Sequence, residues 1–293
     1  MLTTVSLLFV CLGGLVPGDL LLSTDLIGKV KDELVLDVRP AEAFEKGHIP
    51  GAAHLDQATL SEEREGVPNE LKPVDALAPL LAQAGLDAEK HIIIYSGMGD
   101  VSDFKNATRM FWILEYLSYE KVSILDGGFA KWVAEGRPVE TGPSKVEAVK
   151  PGKVSVRPRG LLLAEYETVA EMAASGEGVL VDCRAPEEYA GLTRKDFVAK
   201  KGNIPHASNV PAQDLIDPAT KLLKPAAELS QLIAPVKADR DTPIVTYCNS
   251  GRDATVGYFA LRMAGHDHVA VYDGSMAEWA AKESLPVGAA PAK

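Results

Sequence analysis

Pro243-Ile244-Val245-Thr246-Tyr247-Cys248-Asn249-Ser250-Gly251-Arg252-Asp253-Ala254 reads as a buried strand over Ile244 to Tyr247, a tight loop opening on a cysteine, and a helix from about Ala254 to Ala264. A strand that passes through a short loop into a helix aims the loop N–H groups and the helix N-terminus at one point. A thiol placed there has its anion stabilised, and its pKa is expected to fall below the free value of about 8.5. Gly251 permits a backbone conformation closed to other residues, and Arg252 is expected to add a fixed positive charge. Asn249, Ser250, Arg252 and Asp253 do not make a core, so Cys248 reads as reactive rather than merely packed.

Outward from this stretch the chain alternates strands and helices. Leu34 to Arg39 reads as a strand, Pro40 to Glu45 as a short helix, and Gly47 to Ala52 as a turn. Val74 to Ala84 is an apolar-periodic helix closed by Gly85. Ile92 to Tyr95 is a continuous apolar run, as in a strand buried on both faces of a parallel sheet. A helix around Ala107 to Tyr116, a strand over Val122 to Leu125 and a helix through Trp132 complete the unit. This alternation predicts an α/β fold, a mostly parallel sheet flanked by helices.

The series then recurs. Asp182-Cys183-Arg184 answers Asp37-Val38-Arg39 at an offset of 145 residues, and Tyr247-Cys248 answers Tyr95-Ser96 at 152. Gly202-Asn203-Ile204-Pro205 answers Gly47-His48-Ile49-Pro50 at 155, and Asp273-Gly274 with Trp279 answers Asp126-Gly127 with Trp132 at 147. The Pro- and Gly-rich stretch from Thr141 to Gly160 has the chemistry of a connector. The chain therefore divides into a signal-like segment at 1–18, a first copy over 19–144, a linker at 145–159 and a second copy over 160–290. The drop in offset from 152 to 147 implies that the loop after Ser96 is about five residues longer than the loop after Cys248. The first copy, with serine in place of cysteine, reads as non-catalytic scaffold.

Composition bounds the partners. Thirty Lys and Arg against 41 Asp and Glu give a net charge of −11, which argues against nucleic acid. Three cysteines, Cys11, Cys183 and Cys248, make no disulfide framework, and no CxxC or His-rich cluster suggests a metal or other cofactor. Residues 1–22 are apolar but broken by Gly13, Gly14, Pro17, Gly18 and Asp19, which excludes a stable membrane span. Within the signal-like segment 1–18, Leu7 to Val16 fits the apolar core of a secretory signal cleaved near Asp19, implying a periplasmic or secreted protein, although no basic residue precedes Lys29. An N-terminal arm on a cytoplasmic protein is the alternative.

The duplicated Asp-x-Arg, Gly-His-Ile-Pro-Gly-Ala and Asp-Gly-Gly-x-x-x-Trp elements, with a loop cysteine only in the second half, resemble the tandem-domain rhodanese sulfurtransferases. The resemblance covers about Leu20 to Val287 and implies two rhodanese-like domains. It implies that Cys248 takes a sulfane sulfur from a small-molecule donor, becomes a persulfide and passes the sulfur to a thiophilic acceptor such as cyanide or a thiol. Asn249, Ser250, Gly251, Arg252 and Asp253 would form the substrate loop. Mercaptopyruvate-type members resemble Cys-Gly-Ser-Gly-Val-Thr at the loop, where only Ser250 and Gly251 match here. Glu188 stands where those members carry an arginine, and Val67-Pro68-Asn69 replaces their Leu-Pro-His. A glutamate where a keto-acid carboxylate docks is repulsive, and Arg252 at the loop suits a small dianion, which together favour thiosulfate as donor. A 3-mercaptopyruvate sulfurtransferase, or a non-catalytic sulfur carrier or redox sensor, is the alternative. The arginine four residues after Cys248, rather than six, excludes the Cys-x5-Arg loop of cysteine phosphatases.

Asp182 and Arg184 are expected to form a buried ion pair that supports the loop, as are Asp37 and Arg39 in the first copy. Cys183, between them, reads as packed. His48 and His206 belong to turns, and Trp132 and Trp279 to cores. Asp253 is expected to cap the helix or to pair with Arg252. A cleft between the two domains is expected to hold Cys248.

Overall fold

The computed structural model describes residues 19–150 and 153–288; the signal-like reading of 1–18, with Cys11, lies outside them. In the first half the elements are β1 (Leu21–Leu22), β2 (Glu33–Asp37), α1 (Ala41–Lys46), β3 (Ala53–His54), β4 (Ser61–Arg64), β5 (Val67–Leu71), α2 (Val74–Gln83), β6 (His91–Tyr95), α3 (Val101–Tyr116), β7 (Val122–Leu125) and α4 (Gly128–Ala134). The second half carries α5 (Tyr166–Ser175), β8 (Val179–Asp182), α6 (Pro186–Tyr189), β9 (Ser208–Asn209), α7 (Ala226–Ile233), β10 (Ile244–Tyr247), α8 (Arg252–Met263), β11 (Val269–Val271) and α9 (Ser275–Ala281).

Two separate sheets result, with strand orders β1-β7-β6-β2-β3 and β11-β10-β8-β9, and every pairing within them is parallel. The central strands are the apolar runs: all five residues of β6 and all four of β10 are buried, because helices cover both sheet faces. Leu163 bridges in parallel to Val271 and repeats, as a single pair, what β1 does beside β7. The expected α/β architecture with two like domains is the one observed. No helix among the described residues is long and apolar enough to cross a membrane.

Three features differ from the sequence reading. First, the extra residues of the first copy lie mainly in the helix, not the loop. α3 has 16 residues against 12 in α8, and its N-terminus is set at Asp100, whose carboxylate accepts the Asp103 N–H at 2.9 Å. Second, residues 61–71 form an antiparallel hairpin, β4–β5, that polar Ser61-Glu62-Glu63-Arg64 does not advertise. Its turn is Glu65-Gly66, both at positive φ (54° and 81°), as a two-residue hairpin turn requires. Third, no open cleft separates the domains at Cys248. α3 and α8 pack face to face, and one apolar core runs through both halves.

That seam is built like a protein interior. Phe259 of α8 meets Phe104 and Phe111 of α3 edge-on, with ring centroids 6.1 and 5.0 Å away. The Thr108 and Thr255 hydroxyls share a hydrogen bond at 3.0 Å, and Tyr258 donates to Glu115 at 2.6 Å. The connector is laid along the first domain: Ala88 N–H donates to the Lys153 carbonyl and Trp112 Nε1 to the Leu162 carbonyl, each at 2.8 Å. Phe259→Ala should therefore cost about 3–5 kcal/mol in equilibrium urea unfolding. A loss below about 1 kcal/mol would show that the seam adds little to stability.

Candidate active site at the Cys248 loop

β10 ends at Tyr247, whose hydroxyl accepts the Ile204 N–H at 3.0 Å and fixes the strand end against the 202–205 turn. The chain then turns through Cys248 to Gly251 and enters α8. Gly251 is the N-cap at φ 78°, with no side-chain cap. A Cβ there would run into the Asp273 carboxylate and approach Arg109 Nη1 at 2.9 Å, so only glycine fits.

Ser275 holds the loop closed. Its hydroxyl accepts the N–H groups of Cys248 (3.0 Å) and Gly251 (3.1 Å) and donates to the Tyr272 carbonyl (2.8 Å). Met276 and Ala277 N–H donate to the carbonyls of Cys248 and Asn249, each at 3.0 Å. With those groups engaged, the N–H groups of Ser250, Asp253 and Ala254 are left to face the Cys248 sulfur.

The expected low thiol pKa is not what this geometry produces. Cys248 is 1% exposed, and burial, with the Asp253 carboxylate adding to it, pushes the thiol up to about 11 against the pull of the three N–H groups. Arg252 does not offset this, because its Nη2 donates to Asn106 Oδ1 of α3 at 2.5 Å instead of turning to the sulfur. Asp253 neither caps α8 nor meets Arg252; it forms an ion pair with Lys105 of α3. Both residues are thus spent on the domain seam.

The other predicted positions surround the loop. Asn249 Nδ2 donates to Glu188 Oε1 at 3.1 Å, which brings two departures from the mercaptopyruvate-type pattern into contact. Ser250 Oγ accepts Asn69 Nδ2 at 3.1 Å, so the third departure, on β5, reaches the same loop. Asp182 and Arg184 are a buried ion pair, Nη2 to Oδ2 at 2.6 Å, and Arg184 also donates to the Gly202 carbonyl at 2.8 Å. Asp37 and Arg39 repeat this in the first copy, with Arg39 on the Gly47 carbonyl at 2.7 Å. Cys183 is buried, and that burial holds its thiol well above the ordinary range. Among the described residues no group of His, Cys, Asp and Glu could hold a metal ion.

Sequence reasoning missed the residues that close the site. Arg109 of α3, fully buried, donates Nη1 and Nη2 to the two oxygens of Asp273 (2.5 and 3.0 Å) and Nη2 to the Asn69 carbonyl (2.9 Å). Leu71 N–H donates to Asp273 Oδ2 at 2.8 Å. The hairpin from the first domain therefore lies over the Cys248 loop. A lone arginine in the apolar run Ala107 to Leu114 was the available signal, since a buried guanidinium needs a carboxylate.

The equivalent loop of the first copy holds an anion of its own. Asp103 Oδ2 accepts the Gly99 N–H at 2.9 Å and sits 2.5 Å from where a Gly97 Cβ would be, while Ser96 Oγ donates to the Asp103 carbonyl at 2.6 Å.

Comparison with known proteins places the chain in the rhodanese-like family. The rhodanese-like domain model matches residues 23–135 and again 165–282. The 3-mercaptopyruvate sulfurtransferase of Escherichia coli (strain K12) is 31% identical over 256 residues, 86% of either chain. The thiosulfate sulfurtransferase of Mus musculus is 32% identical over 244 residues, 80% of this chain and 78% of that one. The crystal structure of SseA from Escherichia coli, described as a 3-mercaptopyruvate sulfotransferase of "Rhodanese" fold, superposes with a TM-score of 0.74. It is 25% identical, over 87% of this chain and 98% of that one.

Two outcomes in pH follow. Alkylation of Cys248 by iodoacetamide, followed by peptide mapping, should keep rising through pH 9 toward an inflection near 11. A plateau reached by pH 8 would mean that the N–H groups outweigh burial. Glu70, beside Asn69 on the hairpin, has its carboxyl raised from 4.5 to about 7, chiefly by burial, with Asp273 and Glu278 adding to it and Arg64 opposing. The folded form then holds this proton more tightly than the unfolded one. The stabilisation is full below the ordinary carboxylate pKa and lost as pH rises through 7. Glu70→Gln should raise the urea midpoint at pH 8 and leave it unchanged at pH 4; equal midpoints at both would refute the assignment.

Proposed function

The chain belongs to the rhodanese-like family as a tandem-domain sulfurtransferase, and we propose that it moves the sulfane sulfur of thiosulfate to a thiophilic acceptor through a persulfide on Cys248. The observation that carries this reading is the single thiol at the start of α8, faced by the N–H groups of Ser250, Asp253 and Ala254. The Cys248 thiolate attacks the outer sulfur of thiosulfate, the S–S bond breaks, and sulfite leaves with the bonding pair. Cyanide or a thiol then takes the outer sulfur and returns Cys248 to the thiolate. The N–H groups hold the charge on the outer sulfur of the persulfide, as they would an oxyanion. Burial is what raises the thiol pKa, so water admitted to the site lowers it, against the like charge of the incoming dianion. The first domain supplies the cover, and Asp103 fills its own loop in place of a substrate.

Glu188 supports thiosulfate over 3-mercaptopyruvate. Its carboxylate lies one hydrogen bond from the loop through Asn249, at the position where the mercaptopyruvate-type pattern has an arginine for the keto-acid carboxylate, a docking group that the compact thiosulfate does not need. The 3-mercaptopyruvate reading keeps the support of the Escherichia coli relative. Steady-state kinetics with both donors, cyanide as acceptor and Cys248→Ser as blank, decide between them. Thiosulfate should show the higher kcat/KM, and Glu188→Gln should improve 3-mercaptopyruvate use roughly tenfold, about 1.4 kcal/mol. If 3-mercaptopyruvate is the faster donor and Glu188→Gln changes neither, the thiosulfate assignment fails.

A further inference from the structure

We propose that Cys183 is a resolving thiol, which discharges the Cys248 persulfide as sulfide and leaves a Cys183–Cys248 disulfide. The proposal rests on the persulfide reading above and adds a second fate for the bound sulfur.

The two cysteines sit at the same level of neighbouring strands. β8 and β10 run parallel with Asp182 opposite Tyr247, and the Cys183 N–H donates to the Tyr247 carbonyl at 2.8 Å. The next residues are Cys183 and Cys248. Adjacent strands lie about 4.8 Å apart, inside the Cα separation a disulfide spans. Side chains alternate along a strand, so opposed residues share a face. Asp182 and Tyr247 face the 202–205 turn through Arg184 and the Tyr247 hydroxyl. Cys183 and Cys248 accordingly share the opposite face, in one apolar cluster under α8.

α8 confirms the placement independently. The N–H of Ala254 approaches the Cys248 sulfur and that of Gly257 the Cys183 sulfur, three residues and so about one helical turn apart. A Cβ on Gly257 would collide with Cys183 Sγ, so a helix-interior glycine leaves the space that this sulfur fills. In the first copy Val38 and Ser96 occupy the two positions. The thiol pair exists only where the loop carries a cysteine.

The step balances without an outside oxidant. Cys183 sulfur bonds to the inner sulfur of the Cys248 persulfide, the persulfide S–S bond breaks, and the outer sulfur leaves with the bonding pair. It takes the Cys183 proton and departs as hydrosulfide, which gains its second proton from water. The two cysteine sulfurs are oxidised to a disulfide and the sulfane sulfur is reduced to sulfide; a dithiol reductant then restores both thiols. Cys183 keeps its proton through burial, so this path is slow beside transfer to an abundant small acceptor. It operates when acceptor is scarce.

The test uses the full chain, loaded with thiosulfate under anaerobic conditions, freed of donor and held without acceptor. Wild-type protein should release at most one sulfide per loaded persulfide. It should lose the mass of one hydrogen sulfide molecule and yield a peptide pair joining Cys183 to Cys248, which a dithiol separates. Cys183→Val, the first-copy residue, and the smaller change Cys183→Ser should both retain the persulfide and still form thiocyanate from cyanide. Equal sulfide release from wild type and Cys183→Ser, with no joined peptide, would overturn the proposal. Failure of thiosulfate or 3-mercaptopyruvate to load sulfur on Cys248 would instead remove the persulfide reading, and this inference with it.

Discussion

The grip of the buried Arg109 guanidinium on Asp273 is the constraint from which the closed site follows. Arg109 belongs to α3 of the first domain, and Asp273 follows β11 of the second. The same guanidinium holds the Asn69 carbonyl, and the same carboxylate holds the Leu71 N–H, so one ion pair ties helix, hairpin and sheet end together. Gly251 lies under it with no room for a side chain. A buried pair of this kind returns little net stability, because desolvation of both groups offsets their attraction, whereas losing one partner leaves an uncompensated charge. Its value here is positional: it sets the distance between the hairpin and the Cys248 loop.

Closure has an electrostatic consequence. The N–H groups around Cys248 favour the thiolate, yet excluding water costs the anion more than they return, and Asp253 adds to the cost. The cation that could have compensated, Arg252, is bound to Asn106 across the seam. A resting thiol protected by protonation is therefore built from the same contacts that hold the domains together.

Much of this was legible in the sequence. The buried strands Ile92 to Tyr95 and Ile244 to Tyr247 declare themselves as unbroken apolar runs, and the paired Asp-x-Arg and Gly-x-Ile-Pro elements reveal the duplication. The site's centre at Cys248 and its neighbours Glu188 and Asn69 could be named from motif departures. What stayed hidden depends on contacts between the two copies. Arg252 and Asp253 look like loop chemistry until Asn106 and Lys105 of the other domain are placed beside them. The offset change of five residues could not say where the insertion lay, because a longer helix and a longer loop shift the register alike.

One substitution between the copies explains how duplication separated chemistry from cover. In both, the helix after the last strand donates two N–H groups to the loop carbonyls: Met276 and Ala277 to Cys248 and Asn249, Phe129 and Ala130 to Ser96 and Gly97. The frame is shared. The second copy adds the Ser275 hydroxyl, which gathers the Cys248 and Gly251 N–H groups and so draws the loop into a ring. The first has Gly128 at that position, where a Cβ would meet the Ser96 carbonyl at 2.5 Å and the Met98 side chain at 2.6 Å. Without the hydroxyl the first loop takes another path, Met98 packs into it, and Asp103 supplies the anion its N–H groups require. Lys105, Asn106 and Arg109, which reach Asp253, Arg252 and Asp273, align at the offset of 147 with Arg252, Asp253 and Val256, so the contacts across the seam come from the part of the helix that both copies share.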